Sequence, residues 1–341
     1  MRLELSNRRS EKLLRTFMPE NINSVEIGAG AYRHLRIPKR KGGFREAFEP
    51  NPELKDVQKN LLEHLYGWDV PSCMFGFVRG RSPIQNARVH MQSGMAPRWV
   101  FKLDLKDAFP SVTSAFLEKM LKGMFLPKVS DLYAHLNEYE QKKVLDEFVG
   151  IVIQLTTLNG RLPQGAPTSP YLFNLALVHS GLTKRLVSIA SKHGFEVTIY
   201  ADDITISSLK RKIESETRKA VLRAIEESGI FKVNPEKISL NNKRSRAPKI
   251  TGVVLATYRN NAYHKMTLPH QTLKKWRGKI NRATAIMRQG IRPNREEHGV
   301  TINEVLGGIN WIKQVFRGYR ISSIVKKKII EFEEVYQQFK T

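Results

Sequence analysis

Apolar residues recur along this chain at spacings that switch between two and three-to-four, and each switch marks a change of element. Residues 32–50, YRHLRIPKRKGGFREAFEP, read as a strand, a Gly-Gly turn and a second strand, with Lys39, Arg40, Lys41 and Arg45 near the tip. Leu54, Val57, Leu61, Leu62 and Leu65 sit at helical spacing and predict a helix over 54–66. In WVFKLDL, Trp99, Phe101, Leu103 and Leu105 alternate with Val100, Lys102 and Asp104. That is a strand, with Asp104 near its end on the less bulky face. A helix follows Ser114, with Phe116, Leu117, Met120, Leu121 and Met124 along one side.

Farther along, LPQGAPTSP (162–170) is a stiff loop, and Ser169 and Pro170 fit the N-cap and first position of a helix that runs to Gly194. VTIYADDITIS (197–207) reads as a hairpin around Asp202 and Asp203. A helix over 214–228 stops at Gly229, and KITGVVLA (249–256) reads as one more strand. Beyond it the chain reads as helical, with Leu273, Trp276, Ile280 and Met287 as an apolar core stripe. Residues 1–30 carry no strong pattern, and no internal repeat or low-complexity linker is visible. Strand, helix, helix, hairpin, helix, strand is an α+β order, a split αβ sheet with helices on one face.

Composition narrows the function classes. With 341 residues and 41% apolar content the chain is globular, with room for two or three subdomains. Its 57 Lys and Arg against 32 Asp and Glu, a net +25, call for a polyanionic partner, either nucleic acid or an anionic membrane. No apolar run approaches a bilayer span, and the start, MRLELSNRRSEKLL, lacks a signal-peptide core. A cytoplasmic nucleic-acid-binding protein with no membrane role is the expectation. Cys73 is the single cysteine, which excludes disulfides within the chain and cysteine-cluster zinc sites. From Lys237 to Arg295, 59 residues hold 15 Lys or Arg and no Asp or Glu. With Tyr258, Tyr263 and Trp276 interleaved, that window reads as a surface that tracks phosphates and stacks on bases, or else as a solvated face.

The adjacent acids Asp202 and Asp203 raise a sharper question, because neighbouring carboxylates repel. They form either a solvated polar turn or half of a metal site. Nucleotidyl transfer uses two divalent cations roughly 3.5–4 Å apart. Mg²⁺ is satisfied by a few carboxylates plus substrate oxygens. Asp104 at a strand end, facing a hairpin that carries Asp202 and Asp203, supplies such a set.

Five stretches, KLDLKDAFPS, LPQGAPTSP, YADD, VNPEK and TGVVL, in this order and at these separations, resemble the motif series of reverse transcriptases. The resemblance covers about residues 32–256. NARVH (86–90) matches the Asn-Ala-x-x-His element of retron reverse transcriptases, and ITG (250–252) is similar to their Val-Thr-Gly. The resemblance implies a right-hand polymerase fold whose palm is a ferredoxin-like antiparallel sheet with helices. An N-terminal extension would occupy 1–30, and fingers 31–98 with 120–163. A palm would span 99–256, interrupted by that insertion, and a basic helical thumb for RNA or DNA 257–341. The implied enzyme is an RNA-directed DNA polymerase that uses dNTPs and two Mg²⁺ ions, with Mn²⁺ a candidate substitute.

Roles follow from the same resemblance. Asp104, Asp202 and Asp203 match the catalytic metal-binding triad, with Asp202 the direct ligand of both ions, Asp203 partly supporting, and the Leu105 carbonyl completing the shell. Phe109 matches the steric gate against a ribose 2′-OH, a core phenylalanine being the plain alternative. Gln164 matches the contact near the nucleotide 3′-OH, and Gly165 lets backbone approach the base pair. Arg45, with Lys39 or Lys41, matches the triphosphate grip, a solvated hairpin tip being the alternative for the lysines. Asp107 either meets the nucleotide's sugar-phosphate region or caps a helix. Lys237 matches the lysine that protonates pyrophosphate, and Thr251 and Gly252 match the primer grip. Asn86 and His90 share a helical face, and they either hydrogen-bond structurally or contact structured RNA. Lys274, Lys275, Trp276, Arg277, Lys279 and Arg282 are the RNA-contact candidates of the basic window.

The implied partners are a cognate structured noncoding RNA (msr-msd), its msDNA product primed from the 2′-OH of an internal guanosine, and a separately encoded effector in bacterial anti-phage defence. Two other readings stay open: a group II intron-like or other defence-associated reverse transcriptase, and a non-catalytic RNA-binding scaffold. About 85 residues past the palm leave room for a thumb. The retained Asp104, Asp202, Asp203, Gln164 and Lys237 speak against a scaffold.

Overall fold

The computed structural model describes residues 25–39, 42–242, 247–258, 263–319 and 321–340. Arg40 and Lys41 of the expected basic tip lie outside them. Strands β1 (Tyr32–Pro38) and β2 (Phe44–Pro50) form the expected antiparallel hairpin, with Ile37 opposite Arg45. Helix α1 (Pro52–Leu65) is opened by Pro52 and by Asn51, whose side chain accepts from the Leu54 N–H at 2.9 Å. Of the periodic set read from sequence, Leu54, Val57, Leu61 and Leu65 are buried and Leu62 is half-buried. There follow α2 (Pro83–Val89), β3 (Trp99–Lys106), the single turn α3 (Ala108–Ser111), α4 (Ser114–Leu132) and α5 (Glu138–Thr156). A capping box between Asn137 and Glu140 starts α5.

One helix expected from Ser169 to Gly194 is in fact two, α6 (Ser169–His179) and α7 (Leu182–His193). Gly181 interrupts them with a left-handed φ of 75°. The Arg185 guanidinium donates to the Ser180 carbonyl at 2.9 Å, satisfying a group left at the break. Thr168 occupies the N-cap position, and Ser169 is the first helical residue. Strands β4 (Glu196–Tyr200) and β5 (Asp203–Ser208) are the expected hairpin, followed by α8 (Ser215–Glu226), β6 (Lys232–Val233) and β7 (Ser239–Asn242). In the sheet the order is β4-β5-β3-β6, and β3 runs antiparallel to β6 with Leu105 opposite Val233.

The stretch KITGVVLA is likewise not one strand. Thr251 and Gly252, with φ of 44° and 87°, make a two-residue turn between β8 (Lys249–Ile250) and β9 (Val253–Tyr258). β10 (Tyr263–Thr267) then pairs antiparallel with β9, in a stretch expected to be helical. Helices α9 (His270–Met287), α10 (Arg295–His298), α11 (Ile302–Val315) and α12 (Ser323–Lys340) complete the chain. Among the described residues no helix is long and apolar enough to cross a membrane.

The chain divides into two compact units. The first comprises Met1–Gly80, Lys102–Ile204 and Glu214–Ile238. Phe125 is fully buried there, edge-on to Trp68 and to Phe148 at 4.8 Å. Burying one such ring contributes about 1.5–3 kcal/mol. The second unit comprises Arg81–Phe101, Thr205–Ile213 and Ser239–Thr341, and so joins segments that the sequence divided between fingers, palm and thumb. Its core includes Val100, Leu255, Ile280, Ile309 and Phe332. The Trp276 ring lies so close to Gly308 of α11 that a Cβ there would stand 2.2 Å from it.

Neighbouring glycines of α11 therefore respond oppositely to alanine. Gly307→Ala, with nothing within 4 Å of its Cβ, raises stability by up to about 1 kcal/mol from helix propensity. Gly308→Ala lowers it by about 1–3 kcal/mol through overpacking, despite the same propensity gain. Chemical denaturation of the two variants checks the sign of each.

Candidate active site

Backbone hydrogen bonds bring two aspartates of the first unit together. Asp104 lies on the buried part of β3, and its carbonyl accepts from the Asn234 N–H at 2.8 Å. The N–H of the next residue, Leu105, donates to the Asp202 carbonyl at 2.9 Å. Asp202 occupies the β4–β5 turn, where Ala201 has a left-handed φ of 56°. Segment 73–76 supports that turn. The Ile199 N–H donates to the Cys73 carbonyl at 2.8 Å, and the Phe75 N–H donates to the Ile199 carbonyl at 2.7 Å. The Asn174 amide then donates to the Gly76 carbonyl at 2.8 Å. A Cβ on Gly76 would stand 2.2 Å from the Ala201 nitrogen, so no side chain fits without moving the turn.

A cavity of about 590 Å³ opens onto these acids. Of the residues expected from sequence, Asp104, Leu105, Asp107, Gln164 and Asp202 line it, as do the cations Lys39, Arg45 and Lys237. Lys237 Nζ lies 2.7 Å from both carboxylate oxygens of Asp104. Burial first, and then the charge of Asp104, hold the Asp202 carboxyl above the ordinary aspartate range, and Lys237 pulls weakly the other way. Asp203 is placed differently. It is not on the cavity wall, and its carboxylate faces Lys102 Nζ at 3.5 Å. Asp104 and Asp202 thus line the cavity, and Asp203 stands beside them, its charge also raising the Asp202 carboxyl.

This donor set fits a hard divalent cation. Two carboxylates repel across a partly buried space, and one already accepts an ammonium. Among the described residues no group of three or more His, Cys, Asp or Glu is placed to hold a metal unaided. Oxygen ligands from backbone, substrate and water would complete a Mg²⁺ shell, as is usual for that ion.

Several expected residues fall elsewhere. Phe109 is half-buried, with its ring 5.3 Å from the buried Phe173 and 6.1 Å from the exposed Phe77. At Gly165 (φ 109°) the close approach is to β2, since a Cβ would meet the Phe48 carbonyl at 2.9 Å. The Phe48 N–H donates to the Gln164 carbonyl at 2.6 Å, which fixes Gln164 at the cavity. In the second unit Asn86 and His90 are 1% and 0% exposed. Asn86 donates to Thr251 Oγ1 at 3.3 Å, and a His90 ring nitrogen shares a 2.7 Å bond with the Ser207 hydroxyl. Their burial corrects the RNA-contact reading and leaves the structural one. The Thr251 hydroxyl donates to the Pro83 carbonyl at 2.7 Å, so the Thr251–Gly252 turn is pinned to α2.

Lys274, Lys275, Lys279 and Arg282 line a cavity of about 440 Å³ along α9, and Arg277 is half-buried. Lys279 is ion-paired with Glu304. Trp276 is half-buried, with its ring packed against Gly308, as the core stripe read from sequence expects. Residues without a marked sequence signal also shape the site in the first unit. Arg161 lines the 590 Å³ cavity and donates to the Pro110 carbonyl at 2.7 Å. Gly76 and Asn174 act through contacts about a hundred positions away, and nothing local announced them. Asn234, within VNPEK, had the one readable signal.

Helices packed with antiparallel sheets, and two aspartate-bearing segments meeting at one basic cavity, are the make-up of a right-hand polymerase, an α+β class. The chain belongs to the reverse transcriptase family: the family model described as reverse transcriptase (RNA-dependent DNA polymerase) matches residues 37–255. Among curated proteins it is similar to the retron Mx65 reverse transcriptase of Myxococcus xanthus, 36% identical over 229 residues, covering 66% of this chain and 51% of that protein. The retron Mx162 reverse transcriptase of the same organism is 34% identical over 238 residues, covering 66% and 47%. The retron Ec73 reverse transcriptase of Escherichia coli is 27% identical over 283 residues, covering 82% and 81%. This chain spans about half the length of the two Myxococcus relatives. A solved telomerase from Candida albicans, in complex with a fragment of telomeric RNA, matches with a TM-score of 0.45 at 14% identity, over 96% of this chain and 59% of that one.

Because Asp202 is half-buried beside the buried Asp104, its charge costs stability when no divalent cation is present. Asp202→Asn is expected to raise the melting temperature in metal-free buffer by roughly 2 °C. Scanning calorimetry reads the sign, and a lowered melting temperature would show that the carboxylate stabilises the fold.

Proposed function

We propose that this chain is an RNA-directed DNA polymerase of retron type. The observation that carries the proposal is the cavity where Asp104 and Asp202 are tied by backbone and ringed by Lys39, Arg45 and Lys237. Asp104 and Asp202, with the Leu105 carbonyl, would hold two Mg²⁺ ions, whose chemistry would be to activate the attacking hydroxyl and to bind the triphosphate. Arg45 and Lys39 take up triphosphate oxygens, Arg45 with the geometry for bidentate contact. Gln164 and Asp107 face the sugar. Lys237 gives a proton to the leaving pyrophosphate, for which its ammonium must move off Asp104. Asp203 supports from the Lys102 side. Mn²⁺ serves as a substitute ion, and dNTPs are the substrates.

In this reading residues 31–98 with 120–163 serve as fingers, 99–256 as palm and 257–341 as thumb, whose α9 cations follow a phosphate backbone. The template is a cognate structured noncoding RNA (msr-msd), primed from the 2′-OH of an internal guanosine to give branched msDNA. The setting is the bacterial cytoplasm and anti-phage defence with a separately encoded effector. The support is the likeness to retron reverse transcriptases, together with the net charge of +25.

The test supplies the purified chain and its copurified RNA with labelled dNTPs and Mg²⁺. Branched, RNA-linked DNA is expected. Asp104→Asn and Asp202→Asn should each lose about 10³-fold or more in rate. Asp203→Asn should lose clearly less, on the order of tenfold. DNA without a 2′–5′ branch would move the chain to a reverse transcriptase outside the retrons. Absence of any metal-dependent DNA would leave an RNA-binding scaffold.

A further inference from the structure

Lys237 reaches Asp104 from a short turn, and what fixes that turn is Asn234. The Asn234 N–H donates to the Asp104 carbonyl at 2.8 Å, extending the β3–β6 ladder by one residue. Its carbonyl accepts from the Lys237 N–H at 3.1 Å, closing the 3₁₀ turn Pro235–Lys237. Its side-chain oxygen accepts from the Glu236 N–H at 3.3 Å and so caps the same turn. One residue thus binds the aspartate strand on one side and the lysine turn on the other. Lys237 itself is exposed, with a long and flexible side chain; without a fixed turn its ammonium would be spread over many positions.

We propose that Asn234 is a positioning residue that sets the reach of Lys237, and through Lys237 the ease with which a divalent cation occupies Asp104. This rests on the polymerase reading only for its kinetic arm. In the protein as it stands, Lys237 and a cation compete for the same two oxygens of Asp104, so loosening the turn weakens the competitor and tightens cation binding. Where the reaction needs Lys237 as a proton donor, the same loosening lowers kcat and leaves the nucleotide KM unchanged.

The test is a double-mutant cycle on the full chain with Asn234→Ala, Asn234→Ser, Lys237→Met and Asn234→Ala/Lys237→Met. Mn²⁺ affinity, measured by electron paramagnetic resonance without substrate, should rise severalfold in Asn234→Ala and in Lys237→Met. It should rise no further in the double variant, and Asn234→Ser, which can cap the turn, should restore the wild-type value. With poly(rA)·oligo(dT) and dTTP, Asn234→Ala should lose about fivefold in kcat at constant KM. Unchanged Mn²⁺ affinity in Asn234→Ala, multiplying effects in the double variant, or failure of serine to restore would each overturn the proposal. If the wild type makes no DNA on this template or on its copurified RNA, the polymerase reading falls and the Mn²⁺ cycle still decides the role of Asn234.

Discussion

The hydrogen bond from the Leu105 N–H to the Asp202 carbonyl holds two like charges where they would not stay by themselves. Two carboxylates 4 Å apart repel by about 1 kcal/mol in water and about 4 kcal/mol at the effective dielectric near a protein surface. One peptide hydrogen bond contributes only about 0.5–1.5 kcal/mol net. A single bond therefore does not suffice, and the structure supplies several. Asn234 binds Asp104, Cys73 and Phe75 bind Ile199, and the Lys237 ammonium lies between the two oxygens of Asp104. The raised Asp202 carboxyl reflects burial first and, after it, the repulsion that remains once these contacts have acted.

Part of the local backbone strain lies in the same place. Ala201 and Asp107 both sit at positive φ, 56° and 46°, each at a cost on the order of 1–2 kcal/mol for a residue with a side chain. The two positions flank the acids, one just before Asp202 and the other three residues after Asp104. The lack of a side chain at Gly76 lets segment 73–76 close over the Ala201 turn, and Gly165 does the same for the loop against β2. Rigidity is thereby spent on where the carboxylates and Gln164 stand, with little left to side-chain adjustment.

The second unit is organised by other forces. Its centre is aliphatic, and Trp276 is packed on Gly308 by shape. His90 and Ser207 are joined in a buried pair, and buried Asn86 donates to the half-buried Thr251 while its own side-chain oxygen has no hydrogen-bond partner, at a cost of about 1–3 kcal/mol. The basic surface of α9 is laid over this core and is partly neutralised from within by Glu304. Lys274, Lys275 and Arg282 are exposed.

Much of this was legible in the residues. The β1–β2 and β4–β5 hairpins, α1 with its periodic leucines, and α4 followed from spacing and turn chemistry, because local pattern suffices where an element buries one face. Asp104, Asp202 and Lys237 were singled out by motif order, and the structure brings all three to one cavity. The breaks at Gly181 and Thr251–Gly252 were misread because a glycine inside an apolar run does not declare whether it takes a positive φ. The turning aside of Asp203 toward Lys102, the burial of Asn86 and His90, and the dependence of the aspartate turn on Gly76 and Asn174 were set by the tertiary structure alone. Each is decided by a partner far away in the chain, and a one-dimensional pattern records which residues are present but not which distant neighbour each will meet.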